Sequence, residues 1–312
     1  MWLALAFLSA SLLGFYDVFK KHSLRDNSVI PVLFLNTLFC SLIFLPFIVT
    51  SAAGLLSAHS LLYVPTGGWG VHKYIFLKAL IVLSSWTLGY IGIKNLPLTI
   101  VGPINATRPV MVLIGALIVF GERLTSLQWV GVALALLSFF LLSLSGKKEG
   151  IRFNHNRWIY CVVFAAILGA VSGLYDKYLL APTETGGVGL NRMVVQSWYN
   201  LYQCGMMLCV LIITAVWHRF TKRKKEKEIT PFRWDWCIIL ISIFLSVADF
   251  VYFYALSLPD AMISIVSMIR RGSVIVSFTF GAILFHEKNL KAKSLDLILV
   301  LLSMIFLWLG TG

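Results

Sequence analysis

Ten apolar runs, each about twenty residues long, alternate with short polar connections along this chain. A run of that length crosses the hydrocarbon core of a bilayer as an α-helix. No water is present there to pair with backbone N–H and C=O groups, so each run must satisfy them internally as a helix. The chain is therefore predicted to be an all-α integral membrane protein with ten transmembrane helices. The predicted helices cover residues 2–19, 28–50, 73–93, 98–120, 127–145, 158–178, 190–217, 234–256, 261–285 and 293–310.

The composition agrees with a chain that lies in lipid rather than in water. Of the 312 residues, 59% are apolar and 12% are charged, whereas about 25% of the residues of a soluble domain are charged. The net charge of +13 is a possible sign of nucleic-acid binding, but the basic residues lie mostly in the connections between apolar runs. The lipid bilayer is therefore the expected partner, and nucleic acid is not. The oligomeric state stays open.

The basic residues are distributed unequally between the two sides of the bilayer. With the connections numbered along the chain, the odd ones hold 18 lysines and arginines and the even ones hold four. Seven of the 18 lie within residues 219–233. Because basic connections stay in the cytoplasm, both termini are predicted to lie outside it. The expected location is the bacterial cytoplasmic (inner) membrane, as an integral multi-pass protein.

The two halves of the chain repeat one pattern in the same order, at offsets of 159 to 165 residues. The matched positions are 14–17 with 173–176, Asn36 with Asn200, Pro97 with Pro259, Arg108 with Arg270, Glu122 with Glu287, and 136–138 with 301–303. Five spans per half is an odd number, so the second copy enters the bilayer inverted. The sequence predicts inverted five-helix repeats at residues 1–146 and 158–312, joined by a basic connection at 147–157. Such repeats around a midplane site are the usual architecture of secondary transporters.

One local motif connects this pattern with a known family. Residues 121–124, Gly-Glu-Arg-Leu, end the fourth predicted helix and lead into residues 127–134, Leu-Gln-Trp-Val-Gly-Val-Ala-Leu. With two five-helix repeats, this motif resembles the EamA-type drug/metabolite transporter superfamily. The resemblance covers essentially the whole chain, and the segments around Glu122 and Glu287 are its most specific part. It implies a transporter whose fourth and ninth helices line a central cavity.

The chain departs from the family in two respects. The Trp-Gly pair common in the family's first helix is replaced by Leu13-Gly14, followed by Tyr16 and Asp17. The distribution of basic residues also favours an orientation opposite to the usual one of the family, in which both termini are cytoplasmic. The orientation predicted here follows the charges of this sequence.

Three arginines fall about ten residues inside predicted helices: Arg108 in the fourth, and Arg270 with Arg271 in the ninth. A charged side chain at the centre of a spanning helix costs about 2.5–3.5 kcal/mol on insertion scales, so it is tolerated where it meets a cavity or a partner. An arginine fork binds both oxygens of a carboxylate or phosphate. Asn105 and Ser267 precede Arg108 and Arg270 by three positions and fit the same wet face. The pattern favours an anion site along the substrate path that the resemblance implies.

The acidic residues of the apolar runs leave an alternative open, in which the arginines pair with buried aspartates such as Asp249. Asp176 and Asp249 have no basic partner one turn away, and both are candidates for carrying a coupling proton. Asp17 is followed by two lysines one turn later, so an intrahelical ion pair is expected there. Lys78 lies near the predicted start of the third helix and is expected to extend its ammonium group toward the membrane surface.

Two asparagines and two tyrosines that match between the halves are further candidates for binding the solute. They are Asn36, Asn200, Tyr16 and Tyr175. Tyrosine hydroxyls and rings can line a cavity, although packing is the commoner role of any single one.

An intramembrane enzyme is a rival class, and the sequence lacks the motifs that it needs. All six histidines lie in connections or at helix ends, and no HExxH, GxSxG or Walker A motif occurs. The five cysteines lie within apolar runs without a CxxC pair. No catalytic residue, metal site or cofactor is therefore predicted.

These observations predict a secondary transporter, not an enzyme, that moves a small organic solute by alternating access through a midplane cavity. The arginines favour an anionic or zwitterionic solute that bears a carboxylate or phosphate. If the arginines are paired structurally, an exporter of amino acids or amphipathic drugs is the alternative, followed by an intramembrane enzyme or a scaffold. The sequence does not specify the substrate, the direction of transport or the coupling ion.

Overall fold

The computed structural model describes residues 1–24, 27–95, 107–144, 157–220, 231–273 and 290–310, together with residues 104, 276 and 280. These residues form ten α-helices in the order that the apolar runs predict. The helices are α1 (Trp2–Leu24), α2 (Val29–Ala52), α3 (Trp69–Asn95), α4 (Arg108–Val119), α5 (Ser126–Leu144), α6 (Arg157–Leu180), α7 (Arg192–Phe220), α8 (Cys237–Ser257), α9 (Ile263–Arg271) and α10 (Leu290–Leu309). A 3₁₀ turn, Thr183–Thr185, lies between α6 and α7.

Six of these helices are long and apolar enough to cross a bilayer. The six candidate spans are Trp2–Leu24, Val29–Ala52, Trp69–Gly89, Trp158–Leu180, Arg192–Val216 and Cys237–Ser257. The outer surface of the bundle is also apolar: Ile118 on α4 is 77% exposed and Ile213 on α7 is 64% exposed. An all-α, multi-pass membrane protein is therefore confirmed. The crossing of all ten helices stays a prediction, because α4 and the first part of α5 are apolar but shorter.

Two helices have bounds that differ from the predicted spans where the arginines lie. The helix predicted over residues 98–120 is described from Arg108 onward, and residues 98–106, apart from 104, lie outside the described part of the chain. Pro109 is the second residue of α4, a position where the missing N–H needs no partner inside the helix. Arg270 and Arg271 end α9. Within the described residues, the three arginines thus lie at ends of α4 and α9.

The helices pack mainly in pairs that join the two halves of the chain. α1 packs on α8, α3 on α6, α2 on α7, and α5 on α10. α9 contacts both α1 and α4, and α4 also contacts α6. Since each of these pairs combines one helix before residue 147 with one after it, neither half closes a core by itself.

Small polar side chains connect the packed helices. The Ser9 hydroxyl on α1 donates to the Ala248 carbonyl on α8 over 2.8 Å, and Ser85 on α3 donates to the Ala165 carbonyl on α6 over 2.7 Å. Lipid offers no hydrophobic drive for helices to associate, so close packing and interhelical hydrogen bonds carry more of the association. Gly14 permits close packing of α1 against the residues that follow α9, because a Cβ atom there would lie 2.8 Å from the Ser273 carbonyl oxygen.

The beginning of α9 is held by the turn that follows α4. The Glu122 carboxylate accepts the backbone N–H of Ile263 over 2.7 Å and that of Ser264 over 3.2 Å, and it also binds the Ser264 hydroxyl. An anionic acceptor at the N-terminus of a helix satisfies otherwise unpaired N–H groups and opposes the positive end of the helix dipole. Lys177 donates to the Ala261 carbonyl beside it. Glu287, the matching motif residue, lies outside the described residues.

Candidate functional site

A cavity of about 390 Å³ lies between α1, α3, α4, α6, α7, α8 and α9. Eight charged side chains line it: Asp17, Lys20, Lys78, Arg108, Asp176, Asp249, Arg270 and Arg271. Charged residues make up 12% of the whole chain, so this lining concentrates them strongly. Ionisable groups inside a membrane bundle face water-filled cavities or one another, and they mark functional paths.

Lys78 and Asp176 form an ion pair between α3 and α6. The Lys78 Nζ lies 2.6 Å from the Asp176 Oδ1, and the two side chains are 3% and 6% exposed. The ammonium group also donates to the Ser172 carbonyl oxygen over 3.1 Å. The prediction that Lys78 extends toward the membrane surface is wrong: α3 begins at Trp69, so Lys78 lies more than two turns inside the helix and faces Asp176.

A second ion pair joins α8 to α9. The Arg270 Nη2 lies 2.8 Å from the Asp249 Oδ1, and the two side chains are 19% and 18% exposed. For Arg270, the structure therefore shows the pairing with an aspartate that the sequence left open as an alternative. The Arg270 guanidinium also lies 4.0 Å from the centroid of the Tyr252 ring, at a distance typical of a cation–π contact. Tyr252 donates its hydroxyl to Asp176 Oδ2 over 3.2 Å, so this tyrosine contacts both ion pairs.

Arg108 and Arg271 differ from Arg270 because no described carboxylate forms an ion pair with either of them. The Arg108 Nη2 donates over 2.8 Å to the carbonyl oxygen of Gly169 on α6, which is a neutral acceptor. A Cβ atom at position 169 would lie 2.3 Å from the Arg108 Cζ. Glycine at 169 therefore leaves the space in which the guanidinium lies. Arg271 lines the cavity from the end of α9.

The end of α1 completes the lining. The Asp17 carboxylate interacts electrostatically with Lys20, one turn later, and with Arg271. The Lys20 ammonium group lies 5.1 Å from the centroid of the Tyr16 ring. Asp17 thus lies within electrostatic range of basic groups on its own helix and on α9.

The structure brings together seven of the predicted site residues in this one cavity. They are Tyr16, Arg108, Asp176, Asp249, Ser267, Arg270 and Arg271. Both candidate coupling aspartates belong to the set, and each has a basic partner on a neighbouring helix.

Three other candidates lie away from the lining, and their polar groups form hydrogen bonds within their own helix or to a neighbouring one. The Asn36 Oδ1 accepts from the Ser242 hydroxyl over 3.0 Å, and the Asn200 Nδ2 donates to a carbonyl of its own helix over 3.0 Å. The Tyr175 hydroxyl donates to the carbonyl of Tyr74 over 3.3 Å. Asn105 lies outside the described residues.

Several lining residues were not among the sequence candidates, and some carry a detectable signal. Tyr252 follows Asp249 by three positions, so the two share a helix face. Gly169 and Ser172 precede Gly173 and Asp176 by four positions each, a spacing that also keeps one face of α6. Tyr199 gives no such signal, because α7 carries many aromatic and polar residues.

Comparison with known proteins agrees with this architecture. Residues 1–144 match the model of the EamA-like transporter family, which confirms the resemblance to the EamA-type drug/metabolite transporter superfamily. No curated protein matches the chain. A solved structure, described as "Crystal structure of protein", is 12% identical, with a TM-score of 0.70 over 99% of this chain and 98% of that chain. At that identity, the likeness concerns the fold alone.

Proposed function

We propose that this chain, whose residues 1–144 match the EamA-like transporter family, is a secondary transporter of a small anionic or zwitterionic solute. The family match supports a multi-pass membrane transporter of small solutes, and this fits the expectation that the chain is not an enzyme. The class of solute rests on one observation. The cavity holds two arginines, Arg108 and Arg271, that form no ion pair with a described carboxylate.

The charges of the cavity support an anionic partner for these two arginines. Lys78 neutralises Asp176, and Arg270 neutralises Asp249. The remaining lining carboxylate, Asp17, is shared between Lys20 on its own helix and the arginines of α9, so the cavity keeps an excess of positive charge. An uncompensated cation away from water is costly, and a solute carboxylate or phosphate relieves that cost through charge-assisted, bidentate hydrogen bonds.

The sequence indicated Arg270 as a residue that binds the anion, but in this proposal Arg270 has a structural role. Its guanidinium is engaged by Asp249 and by the ring of Tyr252. Arg270 therefore shapes the wall of the cavity, while Arg108 and Arg271 bind the anionic group. For a zwitterionic solute, the carboxylate of Asp249, 18% exposed at the cavity wall, is the acceptor for the ammonium group.

Asp176 is the proposed site of a coupling proton. Its carboxylate is buried and has one cationic partner, Lys78, and one hydroxyl donor, Tyr252. Protonation of Asp176 would neutralise its carboxylate and break the ion pair. Lys78 would then contribute one uncompensated positive charge to the cavity. Solute binding and proton binding at the same cavity would therefore be linked through the cavity's total charge. Asp249 is the second coupling candidate, by the same argument from its pair with Arg270.

The pattern of helix contacts supports two inverted repeats. The comparison exchanges each helix of α1–α5 with the helix five places later, and each helix of α6–α10 with the helix five places earlier. Under this exchange, the α1–α8 contact becomes the α6–α3 contact, and the α4–α6 contact becomes the α9–α1 contact. The contacts α2–α7, α4–α9 and α5–α10 map onto themselves. The family match also ends at residue 144, beside the predicted end of the first repeat at residue 146. We therefore keep the division into residues 1–146, 147–157 and 158–312, with alternating access arising from motion of one half against the other.

The anion site is tested by replacing each arginine with lysine, which keeps the charge and loses the fork. Purified protein in proteoliposomes is screened by counterflow with anionic, zwitterionic and cationic metabolites. For the solute that the wild type carries, we expect Arg108→Lys and Arg271→Lys to weaken binding about ten- to hundredfold, the loss of one charge-assisted hydrogen bond.

The matched control is Arg123→Lys, since Arg123 is exposed in the turn after α4, outside the cavity. It should transport like the wild type. Well-folded Arg108→Lys and Arg271→Lys variants with full transport, or a wild type that carries only cationic solutes, would contradict the anion site.

A further inference from the structure

We propose that His22, Asp235 and Cys237 form a binding site for Zn²⁺ or a similar divalent ion where the end of α1 meets the start of α8. One ligand atom from each side chain lies within 4.8 Å of the other two. In tetrahedral zinc sites, bonds of about 2.0–2.3 Å keep neighbouring ligand atoms about 3.3–3.8 Å apart. The three side chains therefore need to approach one another by about 1 Å. This site lies outside the cavity and does not depend on the proposed solute.

The three ligand types determine the kind of ion. Imidazole nitrogen, carboxylate oxygen and thiolate sulfur are all ordinary zinc ligands, and three protein ligands leave a fourth position for water. The thiolate and the carboxylate together carry two negative charges, which neutralise a divalent ion. A soft thiolate favours Zn²⁺ over the hard ions Mg²⁺ and Ca²⁺, which prefer oxygen.

The backbone around the site is held in place by side chains of the same two segments. The Asn27 Nδ2 donates to the Arg233 carbonyl oxygen over 2.8 Å, and the Arg233 N–H donates back to the Asn27 Oδ1 over 2.9 Å. The Asp235 Oδ1 accepts the backbone N–H of Cys237 over 3.0 Å. This bond orients the carboxylate and leaves its other oxygen for the ion. His22 is exposed, so an ion can enter from solvent.

An ion at this position would join two helices that both line the cavity. α1 contributes Asp17 to the lining, and α8 contributes Asp249 and Tyr252. A metal bridge between the end of α1 and the start of α8 would restrict their relative motion, so the site is regulatory. The orientation predicted from the basic residues places both segments in the cytoplasm, where a thiol stays reduced. The sequence alone predicted no metal site, because these ligands come from two distant segments and form no paired motif.

The experiment uses the full-length protein, purified in detergent without a histidine tag and stripped of metal with a chelator. Co²⁺ is added as a spectroscopic probe, and Zn²⁺ binding is measured by calorimetry and by the shift in Tm. We expect a thiolate-to-cobalt charge-transfer band and a rise in Tm with Zn²⁺, but no rise with Mg²⁺ at the same concentration. Cys237→Ser should abolish the band, and His22→Ala should weaken Zn²⁺ binding at least about tenfold.

Two further variants keep the result interpretable. Asp235→Asn keeps the side-chain oxygen that accepts the Cys237 N–H and loses the charge, so it should fold normally and also bind Zn²⁺ at least about tenfold more weakly. Cys209→Ser replaces an exposed cysteine on α7 and should leave both signals unchanged. Absence of the charge-transfer band in the wild type, its persistence in Cys237→Ser, or its loss in Cys209→Ser would overturn the proposal.

Discussion

At the scale of single residues, the ion pairs of the cavity differ in how far water can replace a lost partner. Lys78 and Asp176 are 3% and 6% exposed, whereas the side chains of Arg270 and Asp249 each keep almost a fifth of their surface exposed. Removal of one member of a buried pair leaves an unpaired charge away from water, and that is costly where the pair is driest. The Lys78–Asp176 pair is therefore the more sensitive of the two.

We expect Lys78→Met to lower the free energy of unfolding by about 3–5 kcal/mol, because it strands the Asp176 carboxylate. The double variant Lys78→Met/Asp176→Asn removes both charges and should recover most of that loss. Lys73→Met is the matched control, since Lys73 is exposed on the same helix and should change stability little. Thermal and denaturant unfolding in detergent measure these effects. Equal stability of Lys78→Met and Lys73→Met would contradict a buried ion pair.

The sequence identified the charged residues of the cavity better than their partners. Arg108, Arg270 and Asp249 stand out because a charge inside an apolar run needs an explanation. The sequence offered Asp249 as a possible partner of the arginines, but it could not say which arginine pairs with it, because the partners lie on different helices and their rotation about the helix axis is set by packing. Lys78 shows the same limit: four residues of error in the start of α3 turned a buried cation into a predicted surface one.

At the scale of elements, α9 depends on a residue of the other half of the chain for its N-terminal cap. Glu122, in the turn after α4, accepts two backbone N–H groups at the start of α9. α9 also ends with Arg270 and Arg271, so the position of this helix sets the position of two cavity arginines. A cap that anchors one end of α9 therefore helps to determine where the two arginines at its other end lie.

We expect Glu122→Gln to lower the free energy of unfolding by about 0.5–2 kcal/mol, since an amide oxygen replaces a charged acceptor at the start of a helix. Glu184→Gln is the control, because Glu184 is exposed in the 3₁₀ turn and should have no effect. The measurement is thermal unfolding of both variants in the same detergent. A Glu122→Gln variant as stable as Glu184→Gln would show that the cap contributes nothing to the fold.

The order of the helices could be predicted from apolar runs, because a bilayer leaves the backbone few choices. The bounds of α4 could not be predicted from hydropathy, since apolar residues occur on both sides of Arg108. Pro109 was the available signal, because a proline near the first turn of a helix commonly marks its start. The role of Glu122 was also beyond the sequence: the motif was visible, but the helix that it caps lies in the other repeat.

At the scale of the whole molecule, two observations bear on how the halves are oriented in the bilayer. One is the exchange of helix contacts between the halves, and the other is the unequal distribution of basic residues. Inverted repeats place corresponding helices in opposite directions, so the two halves cannot both follow the positive-inside rule by an identical charge pattern. The odd-numbered connections hold 18 basic residues and the even-numbered ones hold four, and this difference determines which connections are predicted to be cytoplasmic.

We expect a cysteine placed at Lys224, in the basic connection outside the described residues, to resist a membrane-impermeant thiol reagent in intact cells, because that connection is predicted to be cytoplasmic. A cysteine at Lys73, which is exposed near the start of α3 and was counted with the even-numbered connections, should react. Both are introduced into a chain whose five native cysteines are replaced by serine. Labelling at position 224 with none at 73 would reverse the orientation, and the reaction after cell lysis serves as the control for access.

The contact of Tyr252 with both ion pairs has a consequence for how this cavity can change over evolutionary time. Its hydroxyl binds Asp176 while its ring lies under Arg270. A lineage that replaces either pair alone disturbs the tyrosine, and through it the other pair. The five positions 78, 176, 249, 252 and 270 are therefore expected to covary as one group, whereas positions 108 and 271 can diverge separately as relatives acquire new solutes.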